Sequence, residues 1–323
     1  MCEGVFMLIL NIVILLISLF LIIKFSDMFV DAATSIAEGF RIPKMVIALT
    51  VAAFSTCAPE LAISFNSISS GNAEMTLANV IGSSIVNILL IIGIAAIVKP
   101  IKLKERTIKR ELPLLVLITT AFFFLINDNF FKSSVVNSLS RADGVILIIW
   151  FVTFCVYIYS ITRKSKDMFY PKPKFSKKQA IIRSIIAVVG IIITSDFIVD
   201  SAVYIAQAIN VSQKVIAMTI IVIGTSLPEL TITVLSAKKG EFDMAIGNIV
   251  GTNIFNICVV LGLPITIFGT VSSPAFSLVD LVVVLLAALL LFLFGRTDRE
   301  LSRREGIIMV LTVIVYYAYI FMY

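Results

Sequence analysis

The chain has 323 residues, of which 59% are hydrophobic and only 14% charged, and its mean hydropathy is +1.08. Water-soluble domains are about half apolar and about a quarter charged, so this composition excludes an ordinary soluble protein and indicates an integral membrane protein. The net charge of +6 does not indicate nucleic-acid binding, because the basic residues lie in short loops between apolar runs. The chain has no histidine, which excludes a histidine proton relay, and its four scattered cysteines predict neither disulfides nor a zinc site.

Ten membrane-spanning helices are predicted from apolar runs of about 20 residues, the length that crosses a bilayer. The first and sixth are longer, because an amphipathic extension follows each apolar run, and both are expected to lie tilted across the others. The N-terminal run is expected to be a retained helix rather than a cleaved signal peptide, since it is long and has a counterpart later in the chain. In chain order the predicted spans are residues 4–38, 43–70, 73–98, 107–127, 141–163, 179–209, 212–237, 243–268, 274–296 and 305–322.

The lysines and arginines predict how these helices are oriented. If successive loops alternate between the two sides of the membrane, 22 basic residues fall on one side and only three on the other. Cytoplasmic loops carry the excess of basic residues, so both termini are predicted to be extracellular and the basic stretch 163–178 to be cytoplasmic. We therefore expect a multi-pass protein of the cell membrane, in contact with lipid, without a nucleic-acid partner and monomeric.

The chain contains an internal repeat. When it is shifted by 169 residues, residues 46–93 align with residues 215–262, and 18 of the 48 positions are identical. Shared hydrophobicity does not explain why proline, glutamate and asparagine positions coincide. The segments that carry these motifs are residues 50–93 and 219–262.

Each copy of the repeat holds five predicted spans. Because five is odd, the second copy enters the membrane from the opposite side, which makes the two copies inverted. We therefore predict an all-α fold of two inverted five-helix repeats, residues 1–163 and 179–323, joined by a basic cytoplasmic linker, residues 164–178. Inverted repeats with helices broken at the midplane are typical of secondary transporters.

A Pro-Glu pair in the middle of a span is the first candidate ion site in each copy. Proline removes a backbone hydrogen bond and breaks the helix, and here the prolines directly precede Glu60 and Glu229. The break is expected to free backbone carbonyls, including those of Thr56 and Thr225, where the bilayer offers them no partner. The glutamates add negative charge beside these carbonyls.

The next predicted helix of each copy brings further oxygen atoms. Polar residues recur there every four positions, which places them on one helical face: Asn79, Ser83 and Asn87 in the first copy, and Asn248, Thr252 and Asn256 in the second. Carboxylates, hydroxyls, amides and carbonyls suit calcium and sodium, whereas the lack of soft or imidazole ligands in this set disfavours zinc, copper and iron. Two glutamates balance one divalent cation, or two monovalent cations or protons. The asparagines alternatively hold helices together.

At these motifs the sequence resembles the calcium/cation antiporter superfamily and, within it, the sodium/calcium exchanger family of prokaryotic type. The resemblance rests on residues 224–229 (Gly-Thr-Ser-Leu-Pro-Glu), 248–256 (Asn-Ile-Val-Gly-Thr-Asn-Ile-Phe-Asn) and 79–87 (Asn-Val-Ile-Gly-Ser-Ser-Ile-Val-Asn). It implies that Glu60 and Glu229 bind calcium with the carbonyls of Thr56 and Thr225. It also implies alternating access, in which the first and sixth helices slide against the core, and flanking sodium sites at Ser83, Asn87, Ser226, Thr252 and Asn256.

Three positions depart from the family pattern. Ser55 stands where the pattern has glycine. Cys57 stands where the pattern has a serine-like residue, so a weakly ligating thiol replaces a hydroxyl. Asn256 stands where several relatives carry aspartate. The asparagine at position 256 leaves two carboxylates in the core and argues against a variant that cotransports potassium.

The sequence raises four functional alternatives for this site. Exchange of Ca2+ for Na+ is preferred, and proton-coupled Ca2+ antiport is the alternative, because buried glutamates can carry protons. Two inverted halves around a closed cage favour a carrier over an ion channel. The absence of histidine excludes a Ser–His dyad and a histidine-ligated metal site, so no enzymatic activity and no cofactor is expected. The ions handled are then transported substrates.

Overall fold

The structure is a computed structural model that describes residues 2–39, 57–127, 138–162, 173–272 and 277–322. Nearly all of these residues are helical. The first half of the chain contributes α1 (Cys2–Gly39), α2 (Ala58–Ser69), α3 (Ala73–Val98), α4 (Leu112–Ile126) and α5 (Arg141–Thr162). The second half contributes α6 (Lys177–Ala208), α7 (Gln213–Thr225), α8 (Leu227–Lys239), α9 (Phe242–Phe268), α10 (Leu278–Arg296) and α11 (Arg303–Met322).

Within the described ranges, seven helices are long and apolar enough to cross a membrane, or eight when the bent pair α7 and α8 is counted as one span. The second predicted span, residues 43–70, is described only from residue 57 onward. The fourth, predicted over residues 107–127, is a 15-residue α-helix preceded by the π-helical turn Thr107–Glu111. A multi-pass helical membrane protein is therefore confirmed, and the count of ten spans stays a prediction.

The predicted break in the middle of a span is present between α7 and α8, which are bent by 47°. Ser226 forms the joint with φ −84° and ψ 1°, and Pro228 falls in the first turn of α8. A first-turn proline costs little, because the N–H it lacks has no partner within the helix. In the first half, Cys57 precedes α2 with φ −90° and ψ 0°, and Pro59 occupies the same place in the first turn. The two copies therefore restart their helices in the same way.

The centre of the molecule is formed by α3 and α9, whose most apolar stretches are each 83% buried, against 22% for α1. Both helices widen from α- to π-helical winding part-way along, at Val86–Ile92 in α3 and at Asn256–Leu261 in α9. Such widenings occur frequently at functional sites. Here each one includes the last polar residue of the predicted ligand face, Asn87 or Asn256.

Gly82 lets α3 approach α7 closely. A Cβ atom at this position would lie 2.9 Å from Cγ2 of Val222 and 3.4 Å from Cα of Met218. A side chain at position 82 would therefore force α3 and α7 apart.

Two short strand pairs connect the halves. The strand β1 (Ile101–Lys102) follows α3 and pairs antiparallel with β4 (Glu300–Leu301), which lies between α10 and α11. The strand β3 (Val271–Ser272) follows α9 and pairs antiparallel with β2 (Ser138–Leu139), which precedes α5. In both pairs, one strand directly follows an inner helix, α3 or α9. The other strand directly precedes the last helix of the opposite half of the chain, α11 or α5.

The long helices α1 and α6 pack against each other. Gly190 of α6 faces the ring of Phe25 of α1, where a Cβ atom would come within 2.5 Å of the ring. Both helices expose many large apolar side chains, as lipid-facing helices do. They are the first and sixth helices that were predicted to be overlong.

Candidate functional site: a cluster of buried oxygen atoms

Glu60 and Glu229 lie in the first turns of α2 and α8, one residue after the prolines. Their exposed fractions are 1% and 0%. The positive end of a helix dipole favours a carboxylate at this position. The Glu60 carboxylate also contacts the Thr225 hydroxyl at the end of α7. The break in one half therefore meets the glutamate of the other half.

The residues at the helix breaks are buried with the glutamates. Thr225 is fully buried and its hydroxyl donates to the Val222 carbonyl at 3.4 Å. Ser226, at the joint itself, is 3% exposed. Thr56, the equivalent of Thr225 in the first half, lies outside the described residues.

The predicted polar faces of α3 and α9 point inward at five of their six positions. Asn79, Ser83 and Asn87 are buried in α3, as are Thr252 and Asn256 in α9. Asn248 is partly exposed. The second and third positions of each face are therefore buried in the core, as the glutamates are.

The first asparagine of each face binds the helix that carries the glutamate. Nδ2 of Asn79 donates to the Glu60 carbonyl at 3.2 Å and to Oγ of Ser64 at 3.4 Å. Nδ2 of Asn248 donates to Oγ1 of Thr233 at 3.2 Å. Ser64 and Thr233 are themselves related by the 169-residue offset. These contacts match the interpretation in which asparagines hold helices together.

Many buried oxygen atoms on the packed helices α2, α3, α7 and α9 lack a hydrogen-bond partner within the described residues. Most buried polar atoms in native proteins are paired, so a cluster of exceptions marks a place for a ligand. Among the described residues, the buried unpaired oxygens at predicted site positions are Glu60 Oε2, Asn79 Oδ1, Ser83 Oγ, Asn87 Oδ1, Ser226 Oγ, Thr252 Oγ1 and Asn256 Oδ1. In the same described part of the chain, Nδ2 of Asn256 has no hydrogen-bond partner either. Oxygen acceptors in this number suit a hard cation.

Two further residues of this kind were not predicted. Ser84 and Asn253 are each 1% exposed, and Ser84 Oγ and Asn253 Oδ1 have no hydrogen-bond partner in the described part of the chain. Nδ2 of Asn253 donates to the Ile249 carbonyl at 2.7 Å. The 169-residue offset relates the two positions. The signal that would have found them is a pair of matched polar residues inside otherwise apolar spans.

Cys57 also lies at this cluster. It is fully buried, and its Sγ contacts the carbonyl oxygen of Thr252 at 4.0 Å. Its symmetry-related residue is Ser226. The thiol therefore joins the break of the first half to the inner helix of the second.

Known antiporters and exchangers are similar to this chain over nearly its whole length. The profile of the family described as "Sodium/calcium exchanger protein" matches residues 10–160 and 179–322. The putative antiporter CaxA of Alkalimonas amylolytica is 36% identical over 316 residues, which cover 93% of this chain and 95% of the relative. The sodium/calcium exchanger MaX1 of Methanosarcina acetivorans is 28% identical over 346 residues, which cover 96% and 98%.

The solved structures show the same likeness. The sodium-calcium exchanger NCX_Mj, soaked with Na+ and Sr2+, superposes with a TM-score of 0.68 at 29% identity, covering 96% of this chain and 98% of that one. The named relatives are antiporters and exchangers rather than enzymes. The chain is therefore a multi-pass membrane antiporter that belongs to the sodium/calcium exchanger family.

Proposed function

We propose that this protein exchanges Ca2+ for Na+ across the cell membrane by alternating access, with Glu60 and Glu229 as the calcium ligands. The observation that carries the proposal is the cluster of buried oxygens that lack hydrogen-bond partners within the described residues. The cluster draws on both halves of the chain and lies where the predicted helix breaks meet. The family match supports the same function.

The charge of the cluster favours a divalent cation. Glu60 is buried and has no ion-pair partner among the described residues. An uncompensated carboxylate inside a membrane is costly, so Glu60 needs a cation or a proton. With Glu229 the site offers two negative charges, which one Ca2+ neutralises. The carbonyls of Thr56 and Thr225 are proposed as further calcium ligands.

The neutral oxygens favour sodium over protons as the counter-ion. A proton needs one acceptor, whereas a metal cation is surrounded by many oxygens, about six to eight for calcium. The hydroxyls of Ser83, Ser226 and Thr252 exceed what proton carriage by two glutamates requires. We assign the flanking sodium sites to these hydroxyls with Asn87 and Asn256. For Asn79 and Asn248, the amide contacts favour a role in holding the glutamate helices.

The membrane arrangement is part of the proposal. It consists of ten spans in two inverted repeats, residues 1–163 and 179–323, with a cytoplasmic linker at 164–178 and both termini outside. The matched strand pairs β1–β4 and β2–β3 support two equivalent halves. The protein is proposed to be a monomer with both termini outside the cell. Epitope tags at the two termini should therefore be labelled by antibodies on intact cells. Labelling only after permeabilisation would show that the orientation is the opposite one. The mass of the detergent-solubilised protein, measured by light scattering, tests whether it is a monomer.

The function is tested by transport in proteoliposomes. With Na+ loaded inside, we expect radioactive Ca2+ to accumulate, and the accumulation to disappear when choline replaces the internal Na+. A pH gradient without Na+ is expected to drive none. Uptake that follows the pH gradient and ignores Na+ would establish the proton-coupled alternative. Single-channel currents would replace the carrier by a channel.

A further inference from the structure

The cluster of buried oxygens contains one sulfur atom, that of Cys57. Cys57 is the residue immediately before α2, and Glu60 lies in the first turn of that helix. The residue before a helix and its third residue lie close enough for their side chains and backbones to exchange hydrogen bonds in many proteins. Sulfur and carboxylate therefore share one helical turn at the end that favours negative charge.

The surroundings of Cys57 point to a ligand independently of the thiol. Sγ contacts the carbonyl of Thr252, a residue on the opposite half of the chain. The hydroxyl of Thr252 is fully buried and has no hydrogen-bond partner in the described residues. Oε2 of Glu60 is also buried and has no hydrogen-bond partner in the described residues. Two oxygen atoms without a hydrogen-bond partner among the described residues thus belong to residues that contact or adjoin Cys57.

The position that the 169-residue offset relates to Cys57 carries a chemically different side chain, that of Ser226. Ser226 has the same backbone conformation as Cys57 and is buried to a similar degree, but it presents a hydroxyl oxygen. A hard oxygen favours calcium and sodium, whereas sulfur favours soft metal ions. The first half of the site is therefore softer than the second.

We propose that Cys57 is a specificity-determining ligand that makes the site bind soft divalent cations of calcium's size, such as Cd2+, more tightly than Ca2+. The metal binds Sγ of Cys57 together with the carboxylate of Glu60, and the thiol proton passes to water as the metal–sulfur bond forms. The bound Cd2+ competes with Ca2+ and inhibits its uptake. This inference rests on the proposed location of the ion site.

The test compares Cys57→Ser with Cys155→Ser. Cys57→Ser introduces the residue that occupies the matching position 226, so the fold has a precedent for it. Cys155 lies in α5, is partly exposed and belongs to no predicted ligand face, which makes it the matched control. The first readout is the Cd2+ concentration that halves Na+-driven Ca2+ uptake. The second is the ultraviolet sulfur-to-cadmium charge-transfer band of the purified protein titrated with Cd2+.

We expect Cys57→Ser to raise the half-inhibitory Cd2+ concentration at least about tenfold, the low end of what loss of a supporting group costs a metal site. Inhibition by Sr2+, a hard cation, is expected to stay unchanged in the same variant. The charge-transfer band is expected in the wild type and in Cys155→Ser and not in Cys57→Ser. Unchanged Cd2+ inhibition in Cys57→Ser, or a band that persists in it, overturns the inference.

The two readouts also separate this inference from the proposed function. If no Na+-driven Ca2+ uptake is found, the proposed function fails, and the charge-transfer titration still decides whether Cys57 binds Cd2+. If uptake is present and Cd2+ inhibits both cysteine variants equally, the exchanger stands and the role of Cys57 falls.

Discussion

The side chain of Asn79 donates a hydrogen bond of 3.2 Å to the backbone carbonyl of Glu60. Asn79 lies on α3 and Glu60 on α2, so this bond holds the glutamate helix against the inner helix. A second bond, to Ser64 one turn later, fixes the same pair of helices at 3.4 Å. Asn79 is fully buried, and its amide therefore has no water with which to replace these partners.

Asn79→Ala is expected to loosen Glu60 without removing any carboxylate. Interhelical hydrogen bonds in membrane proteins contribute about 0.6 kcal/mol on average, so the thermal unfolding temperature should fall only modestly. The calcium concentration for half-maximal uptake should rise several-fold, because Glu60 is held less firmly, while the maximal rate is largely kept. Asn248→Ala is the matched comparison, since its amide also holds a glutamate helix but binds Thr233, one turn after Glu229, and not a glutamate carbonyl. Its effect on calcium affinity should therefore be smaller. Unchanged calcium affinity in Asn79→Ala would contradict the positioning role, and equal effects of the two variants would show that the bond to the Glu60 carbonyl has no special importance.

Replacement of either glutamate tests the charge of the site. Glu60→Gln and Glu229→Gln keep the side-chain size and remove one negative charge each. Calcium uptake by either variant should fall to the level of empty liposomes, because one remaining carboxylate does not neutralise a divalent cation in a membrane interior. Glu74→Gln is the control, since Glu74 accepts a hydrogen bond from the backbone of Lys214 at the start of α7 instead of joining the cluster. Normal uptake by a Glu60 or Glu229 variant would remove that residue from the site.

Gly82→Ala tests the contact between α3 and α7. The added Cβ would lie 2.9 Å from Cγ2 of Val222, and overpacking of this kind costs about 1–3 kcal/mol. The expected result is a lower unfolding temperature. Gly247→Ala on α9 is the matched control, because a Cβ there meets no atom within 4 Å among the described residues. Alanine favours a helix over glycine by up to about 1 kcal/mol, so this variant should be neutral or slightly more stable. A stable Gly82→Ala protein would contradict the packing argument.

The sequence predicted the features that repeat along the chain and missed those that depend on contacts between distant segments. Span lengths follow from hydrophobicity, and the break at Ser226 follows from the chemistry of Pro228 alone. The sequence does not decide the role of Asn79, because a polar helix face suits an ion as well as a neighbouring helix. Ser84 and Asn253 were missed, since a helical period of four residues does not include them.

Lys214 shows the same limit. Its ammonium group lies 2.5 Å from Oδ2 of Asp280, and their side chains are only 12% and 0% exposed. Tyr316 donates to Oδ1 of Asp280 at 2.7 Å. Hydrophobic patterning gives no indication that α7, α10 and α11 meet at one carboxylate. This buried ion pair fixes the start of α7, the helix that ends at Thr225.

Breaking this ion pair is expected to destabilise the protein strongly. Asp280→Asn and Lys214→Met each leave one buried charge uncompensated, a change that costs about 3 kcal/mol in buried pairs. The double variant should cost less than the sum of the two, as measured by thermal unfolding. The exposed pair Lys109–Glu105 is the control, and its double-variant cycle should show no measurable coupling. Additive losses at Lys214 and Asp280 would show that the two charges do not stabilise each other.

Replacement of K+ and the substitution Asn256→Asp test whether the site holds two carboxylates. Its side chain is fully buried, and neither its oxygen nor its nitrogen has a hydrogen-bond partner in the described residues. With two carboxylates the proposed site needs no further monovalent cation, so Ca2+ uptake by the wild type should be unchanged when choline replaces K+. Asn256→Asp adds a third negative charge to a buried cluster, and carboxylates that lie close together bind protons more readily. Protons should then compete with Ca2+, so the apparent calcium affinity of this variant should fall more steeply than that of the wild type as the pH is lowered. Potassium-dependent uptake by the wild type, or identical pH profiles for the two proteins, would contradict the assignment of Asn256 to the ion site.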